Sequence, residues 1–394
     1  MPHAIAIMEW NDRSGAEILA SYPKEYSVNS KLMMQVFSQH EYSGDSGLIV
    51  LMSENVNLAS YYSGQVHKIF VILFLTEHED GHLFEDGLAN ISREMILNKE
   101  TDDLPKILEY QYRRLAIYPR INNEQKLGLL YLHNIKRAII RRLRAECMLL
   151  KSELNIWIHD QYQEEEIDID LIINSILQNG ICKIGSVKGY SSDLLFLIND
   201  FMVSRKPPKF YRNPTEFNCP KSLIGDYQVA VKNFFSDYRP NESDNLTIID
   251  KIILDPANYE VLKLLRLSIV TRSDLQKLHR KGVVYIDAAL EMFKSLNLLT
   301  VLLDTKNIEY FALLSDINVD RFFPKYMLNS VRKSYMVKQN SNLALIAHLD
   351  LLSEEFLRII ALKKKSKEED APTSYSAKDS LLNLNLKYTG DLEQ

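Results

Sequence analysis

The chain has 394 residues, enough for two or three domains at roughly 100 to 200 residues each. Its 46% hydrophobic and 25% charged residues are the balance of a globular protein, and 13 Gly with 12 Pro exclude a fibrous or largely disordered chain. A net charge of −5 gives no global pull toward nucleic acid, and 3 cysteines at no CxxC spacing exclude a disulfide framework or a cysteine zinc site.

The opening MPHAIAIMEW lacks a basic region followed by an apolar stretch, so it does not read as a signal peptide. The longest apolar run, Ile69 to Leu75, is far short of the roughly 20 residues that span a bilayer. No transmembrane segment and a reducing, cytoplasmic location are expected.

In chain order, His3 to Trp10 alternates and predicts a strand. Asn11-Asp12-Arg13-Ser14-Gly15 is a turn cluster, and Ala16 to Tyr22 predicts the second strand of a hairpin that Pro23 ends. Asn29 or Ser30 caps a helix through about His40, with Leu32, Val36 and Phe37 on one face. Gly44 and Gly47 flank a loop. Leu48 to Met52, Asn57 to Tyr62 and Lys68 to Thr76 predict three more strands, with turns at Ser53-Glu54-Asn55 and Ser63-Gly64-Gln65. Two helices follow, His82 to Leu97 and Leu104 to Ala116. Pro119 separates them from a long helical run, Asn123 to Leu150. The expected fold class is α+β: an N-terminal five-stranded antiparallel sheet with helices, followed by a mainly helical region.

In this element order, with HAIAIMEW…GAEILASYP as its most telling stretch, residues 1–120 resemble the longin fold, a relative of the roadblock and profilin-like folds. The resemblance implies a platform for small GTPases, vesicle-fusion proteins or a second longin domain. Its surface would be the first helix and neighbouring sheet edge, through Lys31, Gln35 and Gln39. Dimerisation, homo- or heteromeric, is a further implied mode because edge strands invite pairing.

Beyond the platform, 121–160 reads as a long helical connector. The acidic stretch Gln161 to Asp170 links it to a helical or winged-helix-like domain, 161–240. There Ile169 to Leu177, Ser191 to Val203 and Ser222 to Tyr238 predict helices, and Arg239-Pro240-Asn241 starts a linker. In 250–320, Pro256 opens a helix carrying Tyr259, Val261, Leu262 and Leu265. Ser268 to Val270 is extended. Thr271 or Ser273 caps a helix over Asp274 to His279, which Gly282 ends, and Tyr285 to Leu296 is a third helix. Strands Leu299 to Leu303 and Ile308 to Leu313 complete the pattern of a winged helix. Helices continue over 321–362, and 363–394, rich in charge, Ser and Pro, reads as a flexible tail.

A winged helix is often a DNA reader, which supplies a rival function. Arg272, Lys277, Arg280, Lys281 and Lys306 are the candidate nucleic-acid contacts. Asp287 and Glu291 on the third helix oppose phosphate, so nucleic acid is the weaker reading. Lys136, Arg137, Arg141, Arg142 and Arg144 form a basic run. Such a run meets phosphates or an acidic partner, or is a solvated face, or pairs with Glu164 to Glu166. Arg13, in the first hairpin turn, is a candidate arginine finger, since a GTPase activator can neutralise the transferring phosphate that way. His78, Glu79, Asp80 and His82 crowd one turn, where an ordinary polar turn is commoner than a metal site. Cys147 and Cys182 sit in apolar surroundings, and Cys219 has no nearby histidine to activate it. There is no GxxxxGK[ST], no GxSxG, no HExxH and no GxGxxG after a strand, and neither a cofactor nor a metal is expected.

The layout of platform, helices and winged helix resembles the nitrogen permease regulator-like subunits of GTPase-regulating complexes. It implies a cytoplasmic, non-catalytic regulator or scaffold binding a small GTPase or another longin- or roadblock-type subunit, with GTPase activation as the most it would catalyse. The alternative is a winged-helix transcriptional regulator with a sensing N-terminal domain.

Overall fold

The computed structural model describes residues 2–43, 46–53, 56–99, 101, 103–116, 118–162, 169–281 and 283–369. Gly44, the turn residues Glu54 and Asn55, the linker residues 163–168, Gly282 and the tail from 370 lie outside the described residues. Contacts divide the chain into two units. One holds residues 1–186 and 190–322, the other 187–189 and the residues from 323 onward.

The first unit opens with the expected five-stranded antiparallel sheet. Its strands are β1 (Ala4–Asn11), β2 (Gly15–Tyr22), β3 (Gly47–Ser53), β4 (Val56–Tyr62) and β5 (Ile69–Phe74), in the order β2-β1-β5-β4-β3. β1 and β5 are central and covered on both faces, which is why β5 is an unbroken apolar run rather than an alternating one. Helix α1 (Ser30–Ser43) covers one face, packing Leu32, Val36 and Phe37 toward Met8, Leu58 and Phe70. Trp10 stacks on Phe37 with ring centroids 3.5 Å apart. Helices α2 (Glu85–Leu97) and α3 (Leu104–Leu115) cover the other face, with Leu88, Ile91 and Leu108 against Ile5, Ile7 and Val71. Each such side chain contributes about 1.5–3 kcal/mol on burial.

Three expectations are corrected further along. The run from Asn123 is not one helix. It is α4 (Asn123–Leu132), α5 (Asn134–Glu146), the short strand β6 (Met148–Leu150) and α6 (Lys151–Gln161). His133 leaves the helix at ψ 116° and its ring approaches the Lys136 amide as the cap of α5, while Cys147, at φ 72°, ends it. Ser191 to Val203 is not helical. After α7 (Ile169–Gln178) and β7 (Cys182–Gly185), it holds β8 (Leu194–Leu197) and part of β9 (Asp200–Lys206). All four residues of β8 are buried because it is the middle strand of its sheet, so it lacks the alternation that marks a strand. After α8 (Ile224–Asp237), the linker at Arg239 leads at once into α9 (Glu242–Ile248) and a π-helical turn, Ile249–Ile253.

The rest of the unit has α10 (Pro256–Leu267), β10 (Val270–Thr271), α11 (Arg272–Gln276), α12 (Ile286–Ser295), β11 (Leu299–Leu303), β12 (Glu309–Leu313) and β13 (Asp316–Phe322). Pro256 follows the Asp255 cap, and Thr271 and Asp274 form a capping box, as expected for these helix starts.

One arrangement occurs twice. The series α5-β6-α6-α7-β7-β8-β9 and α10-β10-α11-α12-β11-β12-β13 have the same element order. Their sheets have matching orders, β6-β8-β7 and β10-β12-β11. Matching residues also make matching bonds. Arg144, near the end of α5, donates to Asp200 at 2.7 Å and to the Phe201 carbonyl at 2.8 Å. Arg266, near the end of α10, donates to Asp316 at 2.8 Å and to the Ile317 carbonyl. Lys151 pairs with Asp170 as Arg272 pairs with Asp287. Gly180 and Asn297 both take the left-handed backbone, at φ 65° and 53°, just after α7 and α12. Their carbonyls accept from Asn199 and Ser315 respectively, both at 2.8 Å.

The two copies meet through equivalent surfaces. β9 and β13 pair antiparallel about Val203↔Val319. Arg205 of the first copy donates to the Leu296 carbonyl of the second, and Arg321 of the second donates to the Asn179 carbonyl of the first at 3.2 Å. This is the reciprocity of a two-fold dimer interface, built here within one chain. The first copy is tied to the platform by Lys136–Asp86 at 3.1 Å, the π-helical turn by Arg114–Asp250 at 2.8 Å, and the second copy to α4 by Arg266–Glu124 at 2.8 Å.

The second unit carries α13 (Tyr326–Met336) and α14 (Asn342–Glu369), with Phe323 against Phe356 at 5.4 Å between centroids. The helices expected over 321–362 are separated at Lys338, φ 53°, and Ser341 Oγ accepts from the Ala344 amide where α14 starts. α14 passes Ala361 and reaches Glu369.

Candidate functional site

α1 is held from beneath and open above. Asn29 Oδ1 accepts from the Lys31 amide at 2.8 Å at its start. Near its end the buried His40 ring lies 3.0 Å from Ser60 Oγ on β4, and burial lowers its pKa to about 4, so it stays neutral at pH 7. Lys31, Gln35 and Gln39 are all exposed and stand one turn apart, so they share a stripe. The stripe also contains Met34, 47% exposed, and Tyr42, 92% exposed. Those two were not singled out from sequence, although their spacing from Lys31 places them on the same face. β3, whose only described strand neighbour is β4, is the sheet edge on that side of the order, and its Met52 is exposed.

Arg13 lies in the β1–β2 turn and is exposed. Asn11 Oδ1 accepts from its amide at 2.9 Å and shapes the turn, while Gly15 supplies φ 83°. The neighbouring Asp12 is taken by Lys68 at 2.7 Å. The Arg13 guanidinium makes no ion pair among the described residues.

The basic run is mostly turned inward. Lys136 is buried and donates to Asp86 and, at 2.7 Å, to Ser175 Oγ. Arg137 and Arg141 both reach Glu242, at 3.0 and 3.3 Å. Arg142 pairs with Glu146 and lies 5.0 Å over the Trp157 ring, and Arg144 holds Asp200. The residues proposed from sequence as its acidic partners, Glu164 to Glu166, lie outside the described residues. In the second copy Arg272 pairs with Asp287, and Lys277 pairs with Asp274 at 2.7 Å. Arg280 and Lys306 are exposed, and Lys281 closes the same short helical turn as Arg280. These cations are not gathered onto one uncompensated face.

The histidine-rich turn is structural. Glu79 accepts from the Thr76 amide at 2.9 Å, and Asp80 accepts from the His82 amide at 3.0 Å. No group of three His, Cys, Asp or Glu suited to a metal ion occurs among the described residues. All three cysteines are buried, and burial raises the Cys182 thiol to about 12, far from a reactive thiolate.

A feature the sequence did not reveal is a cavity of about 490 Å3 bordered by α2, α3 and the α4–α5 junction. Arg93 and His133, remote in sequence, meet there through Arg93 Nη1 and His133 Nε2. A neutral imidazole has one acceptor nitrogen, so the 3.4 Å approach of the Lys136 amide to Nδ1 is the weaker contact.

The class these features define is an α+β protein with a five-stranded antiparallel platform and a duplicated helix–strand module. Compared with family models and with the sequences of curated proteins, the chain matches none. No helix among the described residues is long and apolar enough to cross a membrane.

Proposed function

We propose that the protein is a cytoplasmic regulator or scaffold whose N-terminal platform binds a small GTPase or another longin-type subunit. The observation that carries this reading is the exposed α1 stripe, polar at Lys31, Gln35 and Gln39 and apolar at Met34 and Tyr42. Aromatic and Met side chains beside polar ones are the composition that recognition surfaces favour. The strand order β2-β1-β5-β4-β3, with helices on both faces, supports a longin-like reading. The duplicated order of helix, strand, two helices and a hairpin, with its first and last strands paired, supports reading both copies as winged helices. Their paired cations favour protein contacts over DNA for these modules.

Affinity capture with the full chain, run with GDP and with a non-hydrolysable GTP analogue, tests the proposal. A GTPase or longin-type subunit retained on the wild type supports it. Recovery of nucleic acid without such a protein sinks it. If the captured GTPase is also activated, loss of activation in Arg13→Ala would identify the exposed arginine as the finger.

A further inference from the structure

The cavity beside α2 is lined by an arginine, Arg93, with no carboxylate partner among the described residues. Its volume, about 490 Å3, suits a small organic molecule. Leu129 and Leu132 supply apolar wall. Ser92 is buried at the same wall, and its Oγ has no hydrogen-bond partner, a costly state for a buried hydroxyl. Gln111 also lines the space, and its side-chain amide makes no hydrogen bond among the described residues.

Arg93 decides the sign of the ligand. Its partner is the His133 ring, and it has no carboxylate partner among the described residues. Burial, and then the cations Arg93, Lys136 and Arg137, push His133 well below its ordinary pKa, so the ring offers a lone pair and no countercharge. The other cations nearby are already matched, Lys136 by Asp86 and Arg114 by Asp250. The lining carboxylate, Glu94, is exposed.

We infer that this cavity binds a small organic anion, with its carboxylate or phosphate head on Arg93, Ser92 and Gln111 as further donors, and its apolar body against Leu129 and Leu132. The inference is independent of the platform's partner, because the α1 stripe and the cavity share no residue.

The test uses the full chain and three probes of similar size: benzoate, phenyl phosphate and the neutral benzyl alcohol. Saturation-transfer NMR and thermal shift report binding in the millimolar range. At least one anion is expected to bind about tenfold more tightly than benzyl alcohol. The preferred anion tells a carboxylate head from a phosphate head. Arg93→Gln is expected to remove that preference. Leu97→Trp, at an exposed lining position, is expected to block binding while leaving Arg93 in place. Saturable binding by neither anion, equal binding of benzyl alcohol, or anion binding that survives both variants overturns the inference. Circular dichroism and the melting temperature of each variant separate loss of binding from loss of fold.

Discussion

The two copies of the helix–strand module keep one set of bonds and change the side chains around it. In the first, Arg144 holds Asp200 at 2.7 Å and is 39% exposed. In the second, Arg266 is 21% exposed and bridges two carboxylates, Asp316 and Glu124. At the shared seam Arg205 is 2% exposed, lies 5.5 Å over the Phe234 and Tyr238 rings, and approaches Asp244 at 3.5 Å. Its counterpart Arg321 is exposed. Geometry is therefore common to both copies, while the number of carboxylates the α5 and α10 arginines hold differs. Removing Arg144 removes the charge beside one buried carboxylate, and removing Arg266 the charge beside two carboxylates, whereas an exposed arginine such as Arg321 leaves groups that water can solvate.

The largest expected effect follows from that contrast. Arg266→Ala should destabilise by about 3–5 kcal/mol, because it strands Asp316 and Glu124 together. Arg144→Ala should cost about 1–3 kcal/mol, since it removes one ion pair and a carbonyl bond. Urea melts of the full chain measure both. Equal losses would break the claim that the second carboxylate on Arg266 separates the copies.

Next in size is the seam. Arg205→Ala should cost about 2–3 kcal/mol through the lost carbonyl bond and ring contacts. Arg321→Ala should cost no more than about 1 kcal/mol at its exposed site. The same melts check the difference.

The left-handed positions come third. A Cβ at Gly180 would meet Arg321 Nη1 at 3.1 Å and sit at φ +65°. Gly180→Ala should cost about 1–2 kcal/mol. Asn297→Gly should change stability by a few tenths of a kcal/mol, because Asn already tolerates this backbone.

The smallest contrast is at the caps. Thr271 and Asp274 form a box in the second copy, whereas Leu150 caps α6 with no side-chain bond. Thr271→Ala should cost about 1 kcal/mol. Bonds from Lys277 and Thr271 lower the Asp274 carboxyl from 3.8 to about 2. A carboxyl depressed on folding stabilises above its unfolded value, and that stability is lost as pH falls through the folded one. Asp274→Asn should therefore lose part of its difference from wild type between pH 3.8 and about 2.

Much of the platform was legible in the sequence because its strands alternate or are bounded by Gly, Asn and Ser turns. The hairpin at Asn11 to Gly15 and the Thr271 cap are examples whose local chemistry is decided within a few residues. The modules were harder. β8 is buried on both faces and lost its period, and the break at His133 depends on a ring that caps α5 and meets Arg93 across the cavity. The duplication left a thin trace: Leu197, Asp200, Val203 and Arg205 recur at the same spacing as Leu313, Asp316, Val319 and Arg321. The bonds they make fix the arrangement, and most other side chains were free to diverge. The α1 surface was partly legible: helical spacing placed Lys31, Gln35 and Gln39 together, but exposure of Met34 and Tyr42 needed the packed sheet beneath.

The most direct measurement of the functional proposal compares capture by the wild-type chain with capture by Lys31→Glu/Gln35→Glu/Gln39→Glu, which changes the α1 stripe and no core residue. Arg321→Ala serves as a control remote in sequence from the stripe. The account predicts that a small GTPase or longin-type subunit is retained by wild type and control and lost by the triple variant at unchanged melting temperature. Retention of the same partner by the triple variant would contradict it.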